Sequence, residues 1–179
     1  MNGSGYYQIA NRRAKRLAPV PAHMPFRVVN APSGPGYHPG MQRHHLLPLQ
    51  IVAMPCFVRF VDGVGRRGIG FDDFRRNGIL LPAREDAAEI MGLPLHRGPH
   101  SLYNQLVIDR VGLIEQDWAR MRGRNPGKAD EVALFRLGLL QRALRRGLFD
   151  NRLRRMVLNH RLSGNRQWYR PEAGAASMI

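Results

Sequence analysis

Proline and glycine, 13 and 19 of the 179 residues, are spread unevenly along this chain, and their placement limits its fold more than any other feature. Proline removes a backbone donor and clashes with the preceding turn, and glycine adds backbone entropy, so both end or weaken helices. Six prolines and five glycines fall within residues 1–40, whereas residues 100–125 and 127–170 contain no proline. The first part is therefore poorly suited to regular structure, and the second half can hold long helices.

Residues 1–40 read as a flexible basic arm, carrying Arg12, Arg13, Lys15 and Arg16 with too little apolar periodicity to offset the entropy of ordering. A turn is expected at Ser33-Gly34-Pro35-Gly36, and Phe26–Val29 can dock as an edge strand. From Met41 the texture changes. Leu46–Phe60 is apolar but broken by Pro48 and Pro55, as in a short helix or two buried turns. The glycine-rich stretch Asp62–Gly70 reads as a loop. Ile79–Leu81, between Gly78 and Pro82, has the length of a strand, and Arg84–Met91 that of a short helix closed by Gly92.

Pro99 suits the first position of a helix running to about Arg122, with Leu102, Leu106, Val107, Val111 and Ile114 on one face. A second long helix is predicted from Ala129 to Arg146, burying Val132, Phe135, Leu139, Leu140, Ala143 and Leu144. Asp130 and Glu131 stand at its positive end, Arg145 and Arg146 at its negative end. Asn151–Arg161 is a candidate last helix. The fold class is α+β and mostly helical: a core over 41–122, a basic helical extension over 123–170 packing on it, and a disordered tail over 171–179.

Composition narrows the function. Apolar residues are 44% and charged residues 23%, ordinary for a globular domain. The longest apolar runs, such as Leu46–Pro55, are about ten residues, half of the ~20 that span a bilayer. No charged-then-apolar leader opens the chain, so the expected location is cytoplasmic, or outside the cell by a non-Sec route. The formal charge is +15, and the isoelectric point is near 11.5. Only Lys15 and Lys128 are lysines, and guanidinium groups match phosphates bidentately and stack on bases, which points to nucleic acid ahead of a lipid surface. Cys56 is the single cysteine, so no internal disulfide and no cysteine-rich zinc site can form; it is expected to fill core space beside Phe57. Any metal must be held by histidine and oxygen.

Four of the seven histidines fall in two groups, His44-His45 and His96 with His100. The second pair lies within one helical turn, or across a loop-to-helix junction, near enough to share a cation bound at about 2.0–2.1 Å. Adjacent residues in a regular strand face opposite sides, whereas in a twisted strand both can flank one pocket. Asn77-Gly78, read alone, is a turn. Ser101 has no base at a telling spacing, and His23, His38 and His160 are given no role.

Three segments in order, Arg43-His44-His45-Leu46-Leu47-Pro48, Asn77-Gly78-Ile79-Leu80-Leu81-Pro82, and His96-Arg97-Gly98-Pro99-His100-Ser101-Leu102-Tyr103-Asn104, resemble the AHH family. That family belongs to the HNH/endonuclease VII superfamily of ββα-metal nucleases, and many members are bacterial polymorphic-toxin modules. The likeness covers about Gln42 to Ile114, with Arg43 where the family name has alanine. It implies a ββα-metal core with a short β-hairpin, and a metal-dependent endonuclease that hydrolyses DNA in preference to RNA.

The resemblance further implies that His44, His96 and His100 hold one divalent ion (Mg, Zn, Ni or Mn), that His45 is the general base, and that Asn77 orients His45. Arg97 would brace the phosphate, with Tyr103 and Asn104 behind the ligands. Arg142, Arg145, Arg146, Arg152, Arg154 and Arg155 would grip the polyphosphate backbone without reading bases. Nucleic acid is the expected partner, and an inhibitor or immunity protein another. Two rival readings are a binding module whose four histidines close a structural zinc site, and a basic RNA-associated scaffold without metal.

Overall fold

The computed structural model describes residues 23–97 and 100–150. The expected Asn151–Arg161 helix, the 171–179 tail and most of the basic arm lie outside these residues. Two antiparallel strands, β1 (Met41–His45) and β2 (Gly78–Pro82), pair with His44 opposite Ile79 and His45 opposite Gly78. Their connection is no tight turn. It holds four short helices: α1 (Gln50–Ala53), α2 (Pro55–Val64), α3 (Arg66–Ile69) and α4 (Phe74–Asn77). After β2 come α5 (Glu85–Met91), residues 93–97 without regular structure, which carry His96, and the long α6 (Ser101–Arg122) and α7 (Pro126–Phe149). The fold is thus α+β and mostly helical, as the sequence implies.

Glycine works differently from expectation at 62–70. Instead of a loop, the stretch continues α2 and forms α3. Gly63 lies inside α2 because Trp118 and Arg122 of α6 pack directly on it, and a Cβ there would come within 2.6 Å of Trp118 Cζ2. Gly65 and Gly70 end the two helices at φ of 86° and 79°, a region that costs side-chain-bearing residues.

One core unites these elements. The hairpin gives Ile79 and Leu81, the connection Leu46, Leu47, Ile51, Phe60, Ile69 and Phe71, and the long helices Tyr103, Val107, Val111, Trp118, Ala133, Leu137 and Leu148. The helix faces match the expectation in part: Val107, Val111 and Ile114 on α6 and Leu144 on α7 are buried as predicted. Leu102 and Leu106 are exposed on α6, where Tyr103 and Trp118 face inward instead. On α7, Phe135 is 63% exposed and Leu139 also faces outward, while Ala129, Ala133, Leu137, Gln141 and Leu148 are buried. Cys56 is exposed as well, leaving Phe57 alone in the core.

The later part of the expected arm is not loose. Phe26–Val28 forms a 3-10 turn rather than an edge strand, with Pro25 bridging to Asp73. Asp73 accepts from the Met24 N–H at 3.2 Å, and Arg43 donates to the Phe26 carbonyl at 2.8 Å. Asn30, at φ 48°, closes the following loop by bonding both the N–H and the carbonyl of His38 and the Met41 carbonyl. No helix among the described residues is long and apolar enough to cross a membrane.

Candidate metal centre

Strand alternation places Gln42 and His44 on one face of β1 and Arg43 and His45 on the other. His44 points inward, 4% exposed. There it meets His96, from the segment after α5, and His100, the residue that begins α6, with ring centroids 5.0 and 5.4 Å away. The rings of His96 and His100 lie 4.5 Å apart. One ligand atom from each of the three imidazoles falls within 4.8 Å of the others. His44 Nδ1 and His96 Nε2 are 3.1 Å apart, close to the ~3.3 Å separating two ligands of a common tetrahedral ion bonded at about 2.0–2.1 Å.

The electrostatics suit a cation. Burial, and then the neighbouring His96, His100 and His45, push the His44 pKa down to about 3. Burial and His100 push His96 down to about 4. Both rings are therefore neutral at physiological pH, with lone pairs available. His44 Nε2 is buried without a hydrogen-bond partner among the described residues, an arrangement that costs free energy. The donor set fits a divalent ion of the first transition row.

Two further groups set the positions of these rings. Tyr103 lays its ring edge-on to His44, 4.9 Å between centroids, and donates its hydroxyl to the Leu46 carbonyl at 2.7 Å. Burial pushes that hydroxyl far up in pKa, so it remains a donor. Asn77 is fully buried: its Oδ1 accepts the Leu47 N–H at 2.7 Å, while Nδ2 donates to the Leu47 and Phe71 carbonyls. It cross-links the chain just beyond β1 rather than bonding His45, as expected from the sequence. Leu46 N–H donates to the Asn77 carbonyl at 2.7 Å, completing the link.

His45 occupies the other face. Its ring stacks on Phe26 at 3.7 Å with 4° between planes, and is half-buried. Burial lowers its pKa, Asp72 opposes that, and Arg43 and Arg66 add to the lowering. Arg97 is exposed and ion-paired with Glu85 at 3.0 Å, so the expected phosphate brace has its guanidinium engaged on α5. Asn104 donates its side chain to Gln50 at 3.2 Å instead of supporting a ligand ring; only its backbone N–H meets the His100 carbonyl.

Among the expected backbone-gripping arginines, Arg145 is half-buried and turned onto the fold. Its Nη2 donates to the Arg75 and Gly78 carbonyls at 2.7 and 2.9 Å, tying α7 to the start of β2. Arg142 and Arg146 are exposed, and Arg152, Arg154 and Arg155 lie outside the described residues. Two polar residues escape a reading of the sequence. Gln141 donates from the buried face of α7 to the Ile69 carbonyl at 3.3 Å and to Asn77 Oδ1 at 3.4 Å. Gln42 meets His96 Nδ1 at 2.7 Å; its signal was its place two residues before His44 in a strand.

An antiparallel strand pair followed by helices, with three imidazoles converging between them, is an arrangement that could hold a divalent ion. The model of the AHH family, a nuclease family of the HNH/ENDO VII superfamily with conserved AHH, matches residues 27–143, well over half of the chain, and the protein belongs to that family. No curated protein and no solved structure matches the chain.

Proposed function

We propose that this nuclease is a metal-dependent endonuclease in which His44, His96 and His100 hold one divalent cation and His45 is the general base. The convergence of three imidazoles, with His44 and His96 neutral, beside a fourth that faces away carries the reading. A cation bound there supplies charge neutralisation at a phosphate oxygen and at the departing 3′ oxygen. His45, held neutral by burial, accepts a proton from the water that attacks phosphorus, and the bond to the 3′ oxygen breaks. Phe26 covers one face of that ring and limits its rotation, leaving the ring edge for proton transfer. Tyr103 and Asn77 fix the backbone at Leu46 and Leu47, immediately after the base.

The structural-zinc reading fits less well. Such sites use four protein ligands, and among the described residues the cluster has three, with His45 stacked on Phe26 instead. The charge of +15 supports a polyanionic substrate gripped without base readout; DNA is the proposed substrate, ahead of RNA. In the cell, we propose a toxin effector restrained by an inhibitor protein. Plasmid nicking by metal-stripped protein, with and without added Mg²⁺, Mn²⁺, Ni²⁺ or Zn²⁺ and beside an RNA arm, tests the chemistry. Full activity after chelation sinks it. Growth arrest on expression of the wild type, absent with His45→Ala, tests the cellular role.

A further inference from the structure

Residues 93–97, which carry His96, have no regular structure. The backbone bond from the His96 N–H to the Pro82 carbonyl, 2.7 Å, anchors its main chain. The imidazole beyond that anchor still has two torsions to settle, and β1 settles them from one face. Gln42 and His44 are two residues apart, so their side chains stand ~6.5–7 Å apart along the strand on the same side. The His96 ring fits between them: Nδ1 contacts Gln42 Oε1 at 2.7 Å and Nε2 faces His44 Nδ1 at 3.1 Å.

An amide oxygen can only accept, so Nδ1 must carry the proton and Nε2 must present its lone pair. We propose that Gln42 is a positioning residue for the metal centre, selecting the His96 tautomer whose bare nitrogen points at the ligand cluster. The inference rests on the metal-site reading above and deepens it. Gln42 touches neither cation nor substrate and acts through His96. Its contribution is the one made by outer hydrogen-bond acceptors in histidine metal sites, where loss of the acceptor typically weakens metal binding ~10–100-fold. Gln42 itself is exposed and outside the hydrophobic core, so replacing it leaves the fold's packing in place.

The test uses Co²⁺, followed by its visible absorption, on full-length wild type, Gln42→Leu and Gln42→Glu. Gln42→Leu should raise the Co²⁺ dissociation constant ~10–100-fold, and Gln42→Glu, which keeps an acceptor, should restore tight binding. Equal Co²⁺ affinity in wild type and Gln42→Leu overturns the inference, as does a Gln42→Glu variant as weak as Gln42→Leu. A second readout needs no metal. In ¹⁵N–¹H spectra of the imidazoles, His96 of the metal-free wild type should carry its proton on Nδ1, and Gln42→Leu should move population to Nε2–H. If the wild type fails to bind Co²⁺, the metal reading fails while the tautomer spectra still decide the role of Gln42; an Nε2–H wild type overturns it.

Discussion

The two faces of β1 carry adjacent histidines into opposite surroundings. On the inner face His44 is dry, neutral and surrounded by two more imidazoles and the Tyr103 ring. On the outer face His45 is half-solvated, stacked on Phe26 and within the field of Asp72, Arg43 and Arg66. The strand's period of two separates the proposed ligand from the proposed base. A two-residue motif thereby builds two environments, one suited to holding a cation and one to taking up a proton.

Substitution of the two histidines should separate these roles, and it is the largest effect expected. His44→Ala should abolish both Co²⁺ binding and plasmid nicking. His45→Ala should lower nicking by ~10²–10⁴-fold with Co²⁺ affinity unchanged. Loss of metal binding in both variants would merge the two faces into one ligand set and break the comparison.

Next in size is the pH response of the metal-free protein. The folded-state pKa of His44, about 3, lies below the ~6.5 of an unfolded histidine, so unfolding takes up a proton in between. Stability contributed by the neutral ring is complete above about pH 6.5 and is lost as pH falls towards 3, by up to ~1.4 kcal/mol per pH unit for this ring. His96, less buried, adds in the same direction with a smaller effect. Urea midpoints measured between pH 7 and 4 should fall, and His44→Ala should flatten the curve; an unchanged slope removes the inner-face argument.

Asn77→Ala should cost ~3 kcal/mol, because it leaves the Leu47 N–H and two carbonyls unbonded in the core. The stability loss is read by denaturant titration, and both faces should suffer together. The smallest effect is that of Phe26→Ala, expected to slow nicking several-fold while leaving Co²⁺ affinity alone. A drop in metal affinity there would mean that the outer face reaches the inner one.

Much of the site was legible because its ligands sit in short contiguous motifs. His44 and His96–His100 carry their chemistry in residue type, and β2 and α5 were bounded by glycine and proline. The helix faces were legible only in part, for a physical reason. The buried stripe of α7 consists of Ala129, Ala133, Leu137, Gln141, Leu144, Gly147 and Leu148, in which two alanines, a glycine and a glutamine give a weak apolar signal. Phe135 and Leu139, larger and more apolar, lie on the outer side and drew the prediction to themselves. Asn77 reads as a turn residue until the fold brings Leu47 to it, and Gly63 as a loop until Trp118 lies on it. These are non-local facts, absent from any window of the sequence.

Gln141 and Arg145 give α7 a part in the site that its distance along the chain conceals. A shortened chain stopping at Arg122 would retain all four site histidines and every motif of the hairpin. It would also leave the carbonyls of Ile69, Arg75 and Gly78 without their donors, and strip the underside of α3 and α4 of apolar cover. The smallest excisable fragment therefore runs at least through Leu148, and one trimmed to its recognisable motifs is expected to keep the proposed ligands and lose the scaffold that aims them.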